Sequence, residues 1–392
     1  MPVKKIVIDK ANRIYQLPPE IMSFMRSEMK PSLIKKTEVL DLATFNWPVL
    51  MDSDQLPDEA GFRRAGKEKV ERLKEELAGW FLEYHKTKLN PLREIFIGGG
   101  ITSTIGTLAQ AFIDGGDIVF VPDIGVPLYR QATAACGGQP VSYVVSQKND
   151  WVPTFEKVST RLGRVARFLF LNSPHNPTGA ELAEKDLENL VWMAGRENIA
   201  LVNDAAYQAI SGRKHISLMS IVGGKKVGIE VYSFAYLFGL PAFPFGFAVG
   251  NRDIISGLQT ASRLHPIYLP EFYVDMAIRA IRRFPTESIR TVRKSIDQSL
   301  AEAVSLLDML GLEKTSFDAA PFVWAKLKRR SRSTTAAGLL YRRSRVLVAP
   351  GTGFGDTGQG YLRLSLTAPA EVYQAAKTRI KKKSRLLKME QE

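Results

Sequence analysis

Cysteine is almost absent from these 392 residues. The single Cys136 can form no internal disulfide, which suits a reducing compartment. No cationic neighbour in QATAACGG would activate it, so it is expected as a buried core thiol. Histidine is nearly as scarce, and His85, His175, His215 and His265 show no ligand spacing, so no metal site is expected. No apolar run approaches the roughly 20 residues needed to cross a bilayer, and MPVKKIVIDKANR lacks the apolar centre of a secretory signal; the expectation is a cytoplasmic protein. Nucleotide-loop spacings are missing too. GGGITSTIG (98–106) could present backbone N–H groups to a phosphate at a helix start, but has neither G-x-G-x-x-G nor GK[ST]. PGTGFGDTGQG (350–360) joins two strands and is expected as a tight surface turn. Both argue against a dinucleotide or ATP site.

What is present is a basic, ordinary globular composition: 45% apolar, 24% charged, with a formal charge of +14. Two clusters, KLKRRSRS (326–333) and TRIKKKSRLLK (378–388), carry much of the excess. They read either as solvated faces or as a surface for anions or nucleic acid, without the interleaved aromatics that would favour nucleic acid.

From residue 93 short β-rich runs alternate with helix-length segments: EIFIG, DIVFV, PVSYVV, RFLFLN, ALVND, VGIEVYSF and FGFAVG read as strands. Apolar strands separated by amphipathic helices predict an α/β fold with a mostly parallel sheet covered on both faces. Helices at about 268–312, then FVWAKL, RVLVA, YLRLSL and a last helix, predict a smaller α+β unit. The expected division is an arm at 1–45 packing with the small unit, a large domain at 46–285 and a small domain at 286–392.

RFLFLN runs into SPHNPTGAEL, and ALVND into AAYQAI, placing polar residues at the C-terminal ends of parallel strands, where open α/β sheets bind ligands. A pyridine cofactor needs a carboxylate at its ring nitrogen, donors at its ring oxygen, and N–H groups, hydroxyls and a cation at its phosphate. Asp204, Asn176 and Tyr207 suit the first two needs.

Asn176-Pro177-Thr178-Gly179, Asp204-Ala205-Ala206-Tyr207 and Ser233-Phe234-Ala235-Tyr236 together resemble the motif series of class I/II aminotransferases, pyridoxal phosphate enzymes of fold type I. VAPGTGFGDTGQGYLRLSLTAP (348–369) and LAQAFIDGGDIVFVPDIGVPLYR (108–130) are similar to the LL-diaminopimelate and aspartate aminotransferase-like members. The resemblance implies a homodimer. It also implies Asp204 at the pyridine nitrogen, Asn176 and Tyr207 at the ring oxygen, and Ser233, Gly100 and Thr102 at the phosphate. Arg363 would clamp the substrate carboxylate, a task that suits a bidentate guanidinium.

The departures are as informative. The Schiff-base lysine of the family falls on Tyr236, and its phosphate arginine on Pro244. The hydroxyl residue before the phosphate helix falls on Ile101, and the ring-stacking aromatic on Val126. FRRAGKEK (62–69) lacks the Tyr-Pro that relatives use to reach a partner's phosphate. Lys225 and Lys226 should lie at the far end of their strand. No covalently bound cofactor is therefore expected, and pyridoxal or pyridoxamine phosphate would be held weakly. Tyr236, Ile101, Val126, Phe243, Pro244 and Phe245 are expected partly to fill the old cavity, with Phe234, Phe238 and Phe247 as ordinary core. Three functional readings follow. One is a binding, regulatory or structural homodimer without ordinary transaminase activity that still takes a carboxylate or amino acid. Another is an active enzyme with Tyr236 or His175 as surrogate acid or base. The third is an anion- or nucleic-acid-binding role for the basic clusters.

Overall fold

The computed structural model describes residues 39–44, 63–154, 165–210, 215–240, 243–316, 319–328 and 332–389. Most of the 1–45 arm, Phe62 and residues 329–331 of the first basic cluster lie outside that set.

Among the described residues fourteen strands are numbered in chain order: β1 Leu40–Asp41, β2 Ile95–Gly98, β3 Ile118–Pro122, β4 Gln139–Val145, β5 Pro153–Thr154, β6 Ala166–Asn172, β7 Ala200–Asp204, β8 Gly228–Ser233, β9 Gly246–Gly250, β10 Leu312–Lys314, β11 Phe322–Leu327, β12 Val346–Leu347, β13 Ala349–Pro350 and β14 Tyr361–Ser365. Eight of them form one sheet in the order β2-β9-β8-β7-β6-β3-β4-β5. The pairings β8 with β7, β7 with β6, β6 with β3 and β3 with β4 are parallel, whereas β2, β9 and β5 join antiparallel at the two sides. This is the α/β architecture that the strand and helix alternation predicts.

Side chains along β6 divide between two cores, Phe168 and Phe170 on one face, Leu169 and Leu171 on the other. That period of two, with both faces buried, is why RFLFLN reads as a continuous apolar run. Helices Gly100–Phe112 and Arg252–Ala261 cover the Phe168 face through Ile105, Leu108, Ile254 and Leu258. Helices Lys67–His85 and Glu184–Glu197 contribute Leu73, Leu77, Phe81, Leu187 and Leu190 to the other core. Cys136 caps helix Leu128–Ala135 and is half-buried, not the buried core thiol expected.

A second, antiparallel sheet has the order β10-β11-β14-β13. Helices Glu287–Leu310 and Ala370–Met389 pack against each other beside it. Residues 39–44 lie against this part: β1 pairs in parallel with β12, and the Ser365 N–H donates to the Leu42 carbonyl at 2.8 Å. RVLVA, expected as one strand, is two. Val346–Leu347 pairs with β1 and Ala349–Pro350 with β14, so the chain changes sheets at Val348.

PGTGFGDTGQG is not the surface turn expected. It forms two short 3-10 turns, with Gly351, Phe354 and Gly358 buried, and the Gly125 N–H donates to the Phe354 carbonyl at 2.9 Å. Gly355 sits at φ +137°, and a Cβ there would stand 1.9 Å from the Asp123 carbonyl oxygen. Gly355→Ala is expected to cost about 2–4 kcal/mol in urea denaturation, from backbone strain and overpacking together.

A charged cluster lies buried beside β8. Glu230 accepts hydrogen bonds from Leu218 N (2.9 Å), Asn203 Nδ2 (2.8 Å), Tyr232 OH (2.7 Å) and the Ser217 hydroxyl. His215 Nδ1 lies 2.9 Å from Glu181 and its Nε2 3.9 Å from Glu230. Burial alone would lower the His215 pKa, but hydrogen bonds and charge from Glu181 and Glu230 raise it from 6.5 to about 9. The folded value exceeds the unfolded one, so this contribution is complete below pH 6.5 and is lost as pH rises through about 9. Urea denaturation across that window is expected to show a fall in wild-type stability that is shallower in His215→Gln.

Candidate active site

The C-terminal ends of β6, β7 and β8 bring Asn172, Asp204 and Ser233 to one edge of the parallel sheet, in the crevice where such sheets take ligands. Asn172 ties two of the motif segments together. Its Nδ2 donates to the Asp204 carbonyl at 2.8 Å, and its Oδ1 accepts from the Asn176 N–H at 2.8 Å. The Asp204 carboxylate is buried, accepting from Tyr129 OH at 2.8 Å and from the Ala206 N–H at 3.0 Å. Burial raises its pKa to about 6, against the pull of those two hydrogen bonds.

Asn176 Nδ2 donates to Tyr207 OH at 3.2 Å, and Asn176 Oδ1 accepts from Arg363 Nη1 at 3.0 Å. Arg363 Nη2 donates to the Ala43 carbonyl at 2.7 Å. Its guanidinium carbon stands 4.2 Å from the Phe322 ring centroid and 4.8 Å from that of Phe354. Buried to 5% exposure, it pairs with no carboxylate among the described residues, and its Nε has no hydrogen-bond partner. Desolvation lowers its pKa to about 10, which leaves it cationic at neutral pH. The sequence-predicted Asn176, Asp204, Tyr207 and Arg363 are thus brought together.

Tyr236 lies on a single helical turn, Phe234–Phe238, directly after Ser233. Its ring stacks on Tyr207 with centroids 5.9 Å apart and planes 13° from parallel. Burial raises its phenol pKa, so it stays protonated at neutral pH and is poorly suited to accept a proton. No amine arrives from Lys225, whose Nζ is held at the opposite end of β8 by the Lys88 carbonyl (2.8 Å) and Glu94 (3.6 Å).

At the phosphate end, Gly100 opens its helix at φ +78°, next to Gly246, where a Cβ would stand 3.0 Å from the Gly100 Cα. Ser233 is buried and Thr102 exposed, and no side chain caps the helix start. Pro244 is exposed and brings no cation.

The expectation that six side chains fill the old cavity needs correction. Phe243 and Phe245 turn into the core against Tyr273, at centroid distances of 4.9 and 5.5 Å, and Pro244 faces outward. Val126 lines a different cavity, and Ile101 packs half-buried against both core clusters. Tyr236 alone is stacked on a residue of the ring site. Phe234, Phe238 and Phe247 are core, as expected. His175 is no surrogate acid or base. It is buried, Nε2 donates to the Ile124 carbonyl at 3.0 Å, and Nδ1 accepts from the Thr178 hydroxyl at 2.7 Å. Burial lowers its pKa to about 4, which fixes it as neutral.

Tyr129, Ala43, Phe322 and Phe354 are site residues that sequence reasoning missed. Tyr129 stands four residues after Gly125 in a run that signals only a helix start. Ala43 acts through its carbonyl, which no side-chain pattern reveals.

A profile of the family described as aminotransferase class I and II matches residues 58–380. The chain belongs to that family. An LL-diaminopimelate aminotransferase of Halothermothrix orenii is 28% identical over 390 residues, covering 95% of this chain and 98% of the relative. One of Dehalococcoides mccartyi strain CBDB1 is 29% identical over 371 residues, covering 92% and 95%. Substrate-bound BacF of Bacillus subtilis has a TM-score of 0.86 at 23% identity over 96% of this chain and 98% of that one. A Thermus thermophilus aspartate aminotransferase variant has a TM-score of 0.82 at 21% identity, covering 96% and 100%. The fold is that of the fold-type-I aminotransferases.

The cofactor of the family fits this site at one end only. Asp204 and the Asn176–Tyr207 pair match the needs of a pyridine ring. Where the resemblance places the covalent anchor stands a stacked tyrosine, and where it places the phosphate arginine stands an exposed proline. Tyr129→Phe removes one of the two donors to a buried carboxylate. It is expected to destabilise the fold by about 1.5–3 kcal/mol at pH 8, and by less near pH 5, where Asp204 is neutral. Urea denaturation at both pH values checks this.

Proposed function

We propose that this aminotransferase-family chain does not carry out conventional transamination and binds a carboxylate-bearing ligand noncovalently at Arg363 and Asn176. The observation that carries the reading is Tyr236 stacked on Tyr207 where the family has its lysine. A phenol cannot form an imine. The loss of a phosphate cation at Pro244 removes a charge-assisted contact as well, a change of about ten- to hundredfold in cofactor affinity. Arg363 supports the binding half of the reading. A buried cation with no carboxylate at ion-pair distance among the described residues, and with an unpartnered Nε, is stabilised by an incoming carboxylate. α-Amino acids are the ligand class, and the LL-diaminopimelate acted on by the relatives is one natural probe. The active unit is a homodimer.

A second reading is supported by the intact ring-facing residues: an enzyme that uses pyridoxamine phosphate without a covalent link. Both readings divide on one experiment. Purified protein incubated with pyridoxal phosphate, treated with borohydride and peptide-mapped is expected to carry no stoichiometric adduct at any single residue and to show no amino-acid turnover. The Tyr236→Lys, Pro244→Arg double variant is expected to gain the adduct. Stoichiometric labelling or turnover in the wild-type protein overturns the first reading.

A further inference from the structure

A cavity of about 520 Å³ lies beside the site described above, sharing Phe354 with it, between the β3 and β4 strand ends and the 351–358 turns. That is within the usual size range for small-molecule sites. Val121, Val126, Arg130, Ser142, Phe354 and Asp356 are among its walls, whereas Asp204, Asn176, Tyr207, Ser233, Tyr236 and Arg363 are not.

Its polar groups are unevenly satisfied. The Asp123 carboxylate is taken up by the wall itself: Oδ1 accepts from Ile124 N at 2.9 Å and from Val145 N at 2.8 Å, and the Thr357 hydroxyl donates to it as well. Arg130 is half-buried, and its Nη2 donates to Ser142 Oγ at 2.8 Å. No carboxylate among the described residues lies within ion-pair distance of that guanidinium, although burial lowers its pKa and the charges of Asp356 and Asp123 oppose the shift. Asp356, exposed at the rim, likewise has no ion-pair partner among the described residues. A guanidinium and a carboxylate thus face one cavity, near enough to feel each other and too far apart to pair. Val121, Val126, Val144 and Phe354 are apolar parts of the same wall.

We propose that this cavity is a second binding site for a free α-amino acid with an apolar side chain, its carboxylate on Arg130 and Ser142, its ammonium toward Asp356, and its side chain against Val121, Val126 and Phe354. A zwitterion bridges the two unpaired charges, which neither a simple anion nor a simple amine does. Guanidinium groups suit carboxylates through paired N–H donors. The site is independent of the proposed role of Arg363. Phe354 nevertheless forms part of both, with one contact to the Arg363 guanidinium and another to the cavity.

Titration calorimetry on the full chain tests this with L-leucine, 4-methylpentanoate (no ammonium) and 3-methylbutylamine (no carboxylate). L-Leucine is expected to bind, and each half-charged analogue to bind at least about tenfold more weakly. Arg130→Gln and Asp356→Asn are each expected to weaken L-leucine by a similar factor. The exposed position of Asp356 makes its variant safe for folding, and circular dichroism checks both. If the wild-type protein takes up no L-leucine, or if uptake is unchanged in both variants, the proposal is overturned. Uptake that persists in both variants and disappears in Arg363→Lys assigns binding to the Arg363 site alone.

Discussion

A guanidinium with no carboxylate at ion-pair distance among the described residues holds the site together. Arg363 is buried among Phe322 and Phe354, tied to Asn176 on one side and to the Ala43 carbonyl on the other. Burying a charge costs several kcal/mol unless polar partners replace water. Here neutral acceptors and two aromatic faces do so in part, and the Nε–H is left without a partner. Through Asn176 the same cation reaches Tyr207, and through Asn172 the turn that carries Asn176 is tied to the Asp204 strand. Four segments far apart in sequence are made to agree on one geometry.

The parallel sheet supplies the frame for that agreement. Strands buried on both faces place polar residues mainly at their ends, as with Asn172, Asp204 and Ser233, the hydrogen-bonded Glu230–Asn203 cluster being an interior exception. Asp204 shows what such burial does: the carboxylate is retained, but its ionisation moves toward neutrality. At Tyr236 burial acts in the opposite functional sense, keeping the phenol protonated and stacked.

Much of this was legible in sequence. Strand runs such as RFLFLN and ALVND carried the sheet, because two buried faces leave an apolar stretch that no amphipathic helix imitates. Asp204, Asn176 and Tyr207 were legible as polar residues at the ends of predicted strands, and Arg363 only through the resemblance of its segment to the family. What stayed hidden depended on direction and backbone. Phe243 and Phe245 flank Pro244 and were read as cavity filling, yet both turn to Tyr273, which only tertiary packing decides. His175 sits inside a motif and invites a chemical role, whereas two hydrogen bonds and full burial make it a spacer between the Thr178 turn and Ile124. The splitting of RVLVA between two sheets was invisible because both halves have the same composition. Ala43 and Tyr129 gave no signal, one contributing a carbonyl and the other an aromatic in an apolar setting.

The bond from Arg363 to Ala43 spans 320 positions of chain. An emerging polypeptide can therefore lay down its large sheet long before this contact exists, since sheet neighbours such as β6 and β7 are separated by a single helix. Contacts of such long reach form late and slowly. The cluster around Arg363 is thus a property that ripens only after translation has finished, and a prematurely terminated product would possess much of the large sheet while lacking that cation.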